Sequence, residues 1–571
     1  MHQTLTVINV VEDYSADNTG GSDAAPAINT ALQAVPNGPP NNPSVGAIVY
    51  FPRGEYLIGS PLYRRASFTR CIGEGTTATK LKLDTATWQG VISPTDPVGS
   101  FIFDLASSLV TDCTVTDMRI DGSAGSLPSG LQTSTSANFS GILCSLRDEI
   151  ARVSLYDIWG YALWISDTKA AYVRVIDCEA DLGFNFHSLP QPSGGNDCIG
   201  GGGVRVKIVR FYWMPTLAKN TALDFTTPGG SSFHERSVDI IDCINESPKD
   251  VVLEGLVQST IRGNRFYGNN LDVKTDAAYN PATHPAITNP ASILVADNLF
   301  IGEPNQQGQY VGGSCIVRFD GGIYCSTKTL ATKGGRVAIL GNKFLYSAAS
   351  AIDWAGDDAS NSVGGSIISG NSIRNPNMSK STGDSPDTGG CGTNIGSAYG
   401  CGIAVRSSYG LTIGRNTIDD ENVPQNMQYA IQLISKAALP SGATTQPIIV
   451  TENICGSAPG VGNGAAATFY LSTSPTAALP APIIHGNTNQ PYGFDPLTTN
   501  PITKNTPWPG AAGYPYNALI CISGGGGVSV QIDGVDTNLT QGAFYLAATS
   551  QITVKWTGTN APTINVFRLE R

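Results

Sequence analysis

Apolar and polar residues alternate in short bursts along most of the chain, and the bursts come in pairs. Between about 110 and 490 the first member of each pair runs into a polar turn, often Gly-Asn. Examples are VRVIDC (173–178), VDIIDC (238–243), TIRGNRF (260–266), AILGNKF (338–344), IISGNSI (367–373) and TIGRNTI (412–418). The second member follows a loop of variable length, at 140–145, 161–166, 182–188, 221–226, 250–255, 270–275, 315–320, 350–355, 401–406, 429–434 and 468–473. Period-two alternation in such short runs predicts half-buried strands. From Ile142 to Leu163 to Phe184 the step is 21 residues each time. A repeat of that length suits one coil of a solenoid, with any excess bulging out as loops. One coil cannot bury its own apolar face, so coils must stack around a dry column of Ile, Val, Leu and Phe. Asn at the recurring turn fits the stack. Its side-chain amide can bond the Asn of the next coil, and Asn tolerates left-handed backbone.

The opening differs from the repeat. Residues 6–15 read as a strand, Ser22 and Asp23 offer an N-cap, and Pro26 stands in a first helical turn. Ala27, Ile28, Ala31, Leu32 and Val35 then share one face, which predicts a short helix. A strand pair follows in AIVYFPRGEYLIGSPL (47–62), with Pro52 and Gly54 at its turn. This opening resembles the start of the pectate-lyase-like superfamily of β-helices, where such a segment caps the first coil. The resemblance implies an all-β fold: a single-stranded right-handed parallel β-helix with one short N-terminal capping helix. Residues 1–62 are then the cap, 63–490 the β-helix and 491–515 a Pro/Gly-rich linker. Residues 516–571 alternate again over several short strands and read as a small β-sandwich-like C-terminal domain.

Composition narrows the partners. Charged residues are only 14 % of the 571, and the net charge of −11 argues against a nucleic-acid backbone as ligand. No run of 18 or more apolar residues is present, so no segment is expected to enter a membrane. The first residues, MHQTLTVINVVEDY, lack the basic and apolar blocks of a signal peptide. The 12 cysteines form no CxxC and no Cys/His cluster with zinc spacing. They read as small buried hydrophobes in a reduced chain, and neither a metal nor another cofactor is expected.

No familiar catalytic motif occurs, so chemistry has to be inferred from geometry. With the apolar residues of each second strand turned inward, the outward positions are Trp164, Asn185, His187, Asp224, Glu254, Asp272, Lys274, Arg318, Asp320, Asp353, Arg406, Gln432 and Tyr470. A chain poor in charge thus collects five carboxylates on one face. Glycoside hydrolysis needs two of them, one to protonate the leaving oxygen and one to activate water or attack carbon. Asp320 and Asp353 on successive coils would stand about 5 Å apart. They are the expected pair, with Glu254, Asp272 or Asp358 as substitutes in either role. Asp353 ranks first because Trp354, Asp357 and Asp358 follow it. Lys274, Arg318 and Arg406 could hold carboxylated sugars, and Trp164 and Tyr470 could stack on sugar faces. Asp224 and His187 complete the expected binding row. A polysaccharide lyase would instead use His187, Lys274 or Arg318 near a proton-abstracting base. The bland alternative is a mixed-charge surface that keeps a solenoid in solution.

Three further clusters compete: FHERS (233–237), RFYWMP (210–215) and GGNDCIGGGG (194–203). The last resembles the Asp-containing strand of polygalacturonases. That family's other acidic, His-Gly and Arg-x-Lys elements do not follow in order, so none of its catalytic residues is carried over. The capped start, the long coil array and the tail ISGGGGVSVQIDG…LTQGAFYLAATSQITVKW together resemble bacteriophage tailspike depolymerases. The resemblance implies a homotrimer on the virion tail, acting outside the host bacterium, that binds capsule or O-antigen polysaccharide and cleaves it by endo-glycosidic hydrolysis. The alternatives are β-elimination on a uronate-containing glycan and a non-catalytic glycan-binding adhesin. It also implies attachment to a phage tail or baseplate protein, through a segment not evident in this chain.

Overall fold

The computed structural model describes residues between Thr6 and Leu569. Outside the described residues lie 1–5, 37–45, 89–99, 106–110, 124–138, 166–170, 182–196, 216–220, 226–235, 275–291, 303–320, 327–335, 356–364, 377–400, 422–426, 435–447, 456–468, 472–482, 488–501 and 508–516, with breaks of one to four residues elsewhere.

Each burst of alternation becomes a strand, and every strand of the coil array pairs in parallel with its counterpart one coil away. The coils present three faces. The first runs from Thr6–Asn9 to Ile483–His485 and holds the strands that precede the polar turn. The second holds the short strands just after that turn, such as Arg265–Tyr267 and Leu299–Ile301. These two faces join into one 27-stranded sheet, and the third face is a separate 13-stranded sheet from Leu62–Tyr63 to Phe469–Leu471. The result is a right-handed parallel β-helix, the hand that parallel crossover connections take.

Inward residues of all three faces form one continuous core. Val175, Ile208, Ile240 and Ile261 stack from the first face, and Leu163, Ile199, Leu223 and Val251 from the third. At the turn, Asn264, Asn298, Asn342, Asn371, Asn416, Asn453 and Asn487 stand in a ladder. Each Nδ2 donates to the next Oδ1 at 2.8–2.9 Å. Each backbone N–H donates to that same oxygen. Beside the ladder, the rings of Phe266, Phe300 and Phe344 stack at 4.7 and 4.9 Å, tilted by only 7°.

Among the described residues there is one helix, Ala25–Gln33, whose Ile28, Ala31 and Leu32 pack into the core. Its N-cap is Ala24, not Ser22 or Asp23. The Asp23 carboxylate instead accepts from Ala25 N–H (2.9 Å) and Gly59 N–H (2.8 Å), tying the helix start to the first coil. The C-terminal strands are antiparallel and form two three-stranded sheets. They share a separate cluster that includes Ile520, Val530, Phe544 and Val554. Ile502, from the stretch expected to be a linker, is buried in it.

Two expected third-face strands are replaced by later ones. Ile142 pairs with Leu163 as the 21-residue step requires, but Leu163 then pairs with Ile199 and not with Phe184. In the same way Ile323–Ser326, not 315–320, lies between Leu271–Lys274 and Ile352–Ala355. LGFNFHS and CIVRFD alternate as well as the strands that take those places, so local pattern cannot choose between them.

Candidate functional site

On the third face, Leu163, Ile165, Leu223, Phe225, Ile352 and Trp354 are all fully buried in the core. Strand geometry then turns Trp164, Asp224 and Asp353 to the outer side. The register extends this into one vertical column: Tyr63, Asp104, Leu143, Trp164, Gly200, Asp224, Val252, Asp272, Tyr324, Asp353, Ala404, Gln432 and Tyr470. Six of the outward positions named from the sequence, from Trp164 to Tyr470, fall in it. Lys274 and Arg406 end their strands two residues further on and share a second column with Ser326 and Ala355.

The carboxylates are spaced differently from the expectation. Asp353 has Tyr324 as its register partner on one side and Ala404 on the other, so no carboxylate is its direct neighbour in the column. Asp320 lies outside the described residues, as do Asp358, His187 and Arg318. Instead Asp224, Asp272 and Asp353 recur every second coil, about 10 Å apart along the axis. Exposure differs too. Asp353 is 2 % exposed, while Asp272 and Asp224 are half-buried. Glu254 sits just past Val251–Leu253 and is buried. Its N–H donates to Phe225 O at 3.2 Å, the carbonyl that also accepts from Arg236 Nη1.

Lower in the column an aromatic shelf forms. The Tyr161 and Trp164 ring centroids are 4.5 Å apart at 61°, and both rings lie against Gly200 on the next coil. A Cβ at Gly200 would stand 2.5 Å from Tyr161 Cε1 and 3.0 Å from Trp164 Cε3, so glycine is what lets the rings lie down. Burial pushes the Tyr161 phenol above its usual range, and the charges of Asp197 and Asp224 push the same way. Asp197, itself buried, therefore belongs to this cluster. Sequence reading singled out the run 194–203 that holds Asp197 but placed it off the third face, because it assigned that coil's strand to 182–188; it named the strand 161–166 without giving Tyr161 a role. The available signal was the short run NDCIG, whose Ile199 faces the core.

The arrangement offers flat aromatic surface at one level and carboxylates at three levels above it. From Asp224 to Asp353 it spans about 20 Å, enough for several sugar units in a row. Among the described residues no three His, Cys, Asp or Glu side chains converge as a metal site, and no helix is long and apolar enough to cross a membrane.

In sequence, residues 7–138 match the model of a family described as rhamnogalacturonase A/epimerase, pectate lyase-like. No curated protein matches the chain. Among solved structures the chain is similar to the N-terminal fragment of bacteriophage Phi29 gene product 12, at 14% identity over 85% of this chain and 71% of that one, with a TM-score of 0.47. It is also similar to the Dettilon tailspike protein, at 14% identity over 82% and 68%, with a TM-score of 0.39. A third is PfbA, a surface adhesin of Streptococcus pneumoniae, at 15% identity over 84% and 93%, with a TM-score of 0.39. At such identities these likenesses say nothing of what the chain acts on, and the fold is read from its own strand pairing.

Proposed function

We propose that the chain is a glycan depolymerase of the tailspike kind, which lays bacterial surface polysaccharide along its third face and hydrolyses it with Asp272 and Asp353. The observation that carries this reading is the register that puts Asp224, Asp272 and Asp353 in one outward column at two-coil intervals. The family matched by residues 7–138, described as a rhamnogalacturonase and epimerase family, supports a carbohydrate as substrate.

A two-coil separation of about 10 Å suits inversion better than retention. Inverting hydrolysis leaves room for a water between its two carboxyls, about 6.5–9.5 Å apart, whereas retention needs about 5 Å. Water reaches half-buried Asp272 more readily than covered Asp353. Asp272 is therefore the base that deprotonates the attacking water, and Asp353 the acid that protonates the leaving glycosidic oxygen. Trp164, backed by buried Tyr161, stacks a sugar ring four to six coils away, and Lys274 and Arg406 in the second column favour acidic repeats. Trimer formation and attachment to a phage tail complete the proposal.

Incubation with a panel of capsular polysaccharides and O-antigens tests it. Reducing ends should rise without the ultraviolet absorbance of an unsaturated sugar. Asp272→Asn and Asp353→Asn should each lower kcat by about 10²–10⁴-fold while binding persists. Absorbance of an unsaturated product would instead identify a lyase, and tight binding without cleavage by the unaltered protein an adhesin. Cleavage undiminished in both variants would remove the assigned pair.

A further inference from the structure

The first face carries a second concavity, unrelated to the carboxylate column. It is an open depression of about 640 Å³, lined by Arg147, Tyr172, Arg174, Arg205, Lys207 and Ser237. Volumes of this order hold small ligands. Four cations meet here in a protein of net charge −11, against Asp112 and Asp239 in the same lining.

The cations are not equally occupied. Arg147 pairs with Asp112 at 3.0 Å, and Arg174 with Glu149 at 2.5 Å. Arg205 donates to the Tyr172 hydroxyl at 2.7 Å. Lys207 is exposed and is the register partner of Arg174 one coil away, a like-charge juxtaposition that costs stability. Its register partner on the other side is Asp239, yet among the described residues no carboxylate lies within ion-pair distance of Lys207.

Tyr172 supplies an independent sign. Ala171 pairs with Arg205 and Val173 with Val206, so Tyr172 is the extra residue of a β-bulge. Its φ is +66°, a strained value for an aromatic residue, and 51 % of it is exposed. Bulges re-aim side chains, and this one stands a ring out of an otherwise flat sheet into a cationic depression. Arg205 lies 4.9 Å from the ring centroid and fixes its orientation.

We infer that this depression binds a carboxylated sugar, whose ring lies on Tyr172 and whose carboxylate is received by Lys207 and Arg205, with the Ser237 hydroxyl beside it. A flat ring next to cations and a hydroxyl matches an acidic pyranose on all three counts. The site needs neither the third-face column nor cleavage, so either can stand without the other.

Calorimetric titration of the full chain with trisaccharides containing glucuronate, galacturonate or N-acetylneuraminate, and with their neutral counterparts, tests the site. At least one acidic sugar should bind, its neutral counterpart at least tenfold more weakly. Lys207→Gln and Tyr172→Gly should each weaken that binding tenfold or more; glycine accepts the positive φ, so the bulge survives loss of the ring. Lys555→Gln, on the C-terminal strands, should leave it unchanged. The proposal is overturned if none of the acidic sugars binds, or if Lys207→Gln and Tyr172→Gly leave the affinity as it was. It is equally overturned if those variants alter the sedimenting mass but not sugar affinity, which would make the depression a contact between chains.

Discussion

Asp177 occupies the left-handed turn between the first and second faces, with φ of +55°, and Arg210 on the next coil has φ of +51°. Arg210 Nε reaches Asp177 Oδ1 at 2.5 Å and its Nη2 reaches Oδ2 at 2.9 Å, a two-pronged contact. That contact, chiefly the hydrogen bonding from Arg210, holds the Asp177 carboxyl below the usual carboxylate range. Arg152 does the same for Asp117. A lowered folded-state value means that the stabilisation is fully present above the unfolded carboxylate pKa of about 3.9 and is lost as pH falls through the folded value. Arg210→Ala should therefore move the Asp177 titration upward by NMR and flatten the part of the acid stability profile due to this pair. An unmoved titration would show that the arginine does not set it. Asp177 is plain in the sequence at the turn of VRVIDC, but its partner is not, since Asp177 and Arg210 are 33 positions apart.

At the scale of elements, the Asn ladder and the Phe stack hold successive coils at a fixed height. Asn342 is fully buried, donates to Val295 O and Asn371 Oδ1, and accepts from Asn298 N–H and Nδ2. Asn342→Ala would strand these groups without water, at a cost of about 2–5 kcal/mol. A denaturant melt reads the loss, and a change within about 0.5 kcal/mol, typical of surface positions, would count against the ladder as a stabiliser. The ladder could be foreseen because Gly-Asn recurs at a fixed place after each strand. The third-face strands were only partly legible. Most alternating runs did become strands, but 182–188 and 315–320 gave way to Ile199–Gly201 and Ile323–Ser326. The register neighbour of Asp353 is thereby Tyr324, at the place where Asp320 was expected.

Across the whole molecule, two separate hydrophobic clusters carry the fold, one through the coils and one among the C-terminal strands. Ile520 is fully buried in the second. Ile520→Ala should destabilise those strands by about 2–5 kcal/mol in thermal melts and leave glycan cleavage by the third face unchanged. Lost cleavage with the coils still folded would tie the C-terminal strands to the active face. The ten described cysteines are free thiols, nine of them buried, and burial pushes Cys178, Cys243 and Cys455 up to about 12. They act as core packing, as their placement in runs such as VDIIDC suggests.

Which side of a strand each residue takes is settled by alternation, a local property, and that is why Asp224, Asp272 and Asp353 could be read as outward-facing from the chain alone. Which residues become neighbours depends on how much chain is looped out between strands. Closing a longer loop costs little extra, so the step from Leu163 to Ile199 leaves no trace in the local pattern. Tertiary structure alone therefore decided the spacing of the carboxylates, the covering of Asp353, the rings lying on Gly200 and the bulge that turns Tyr172 outward.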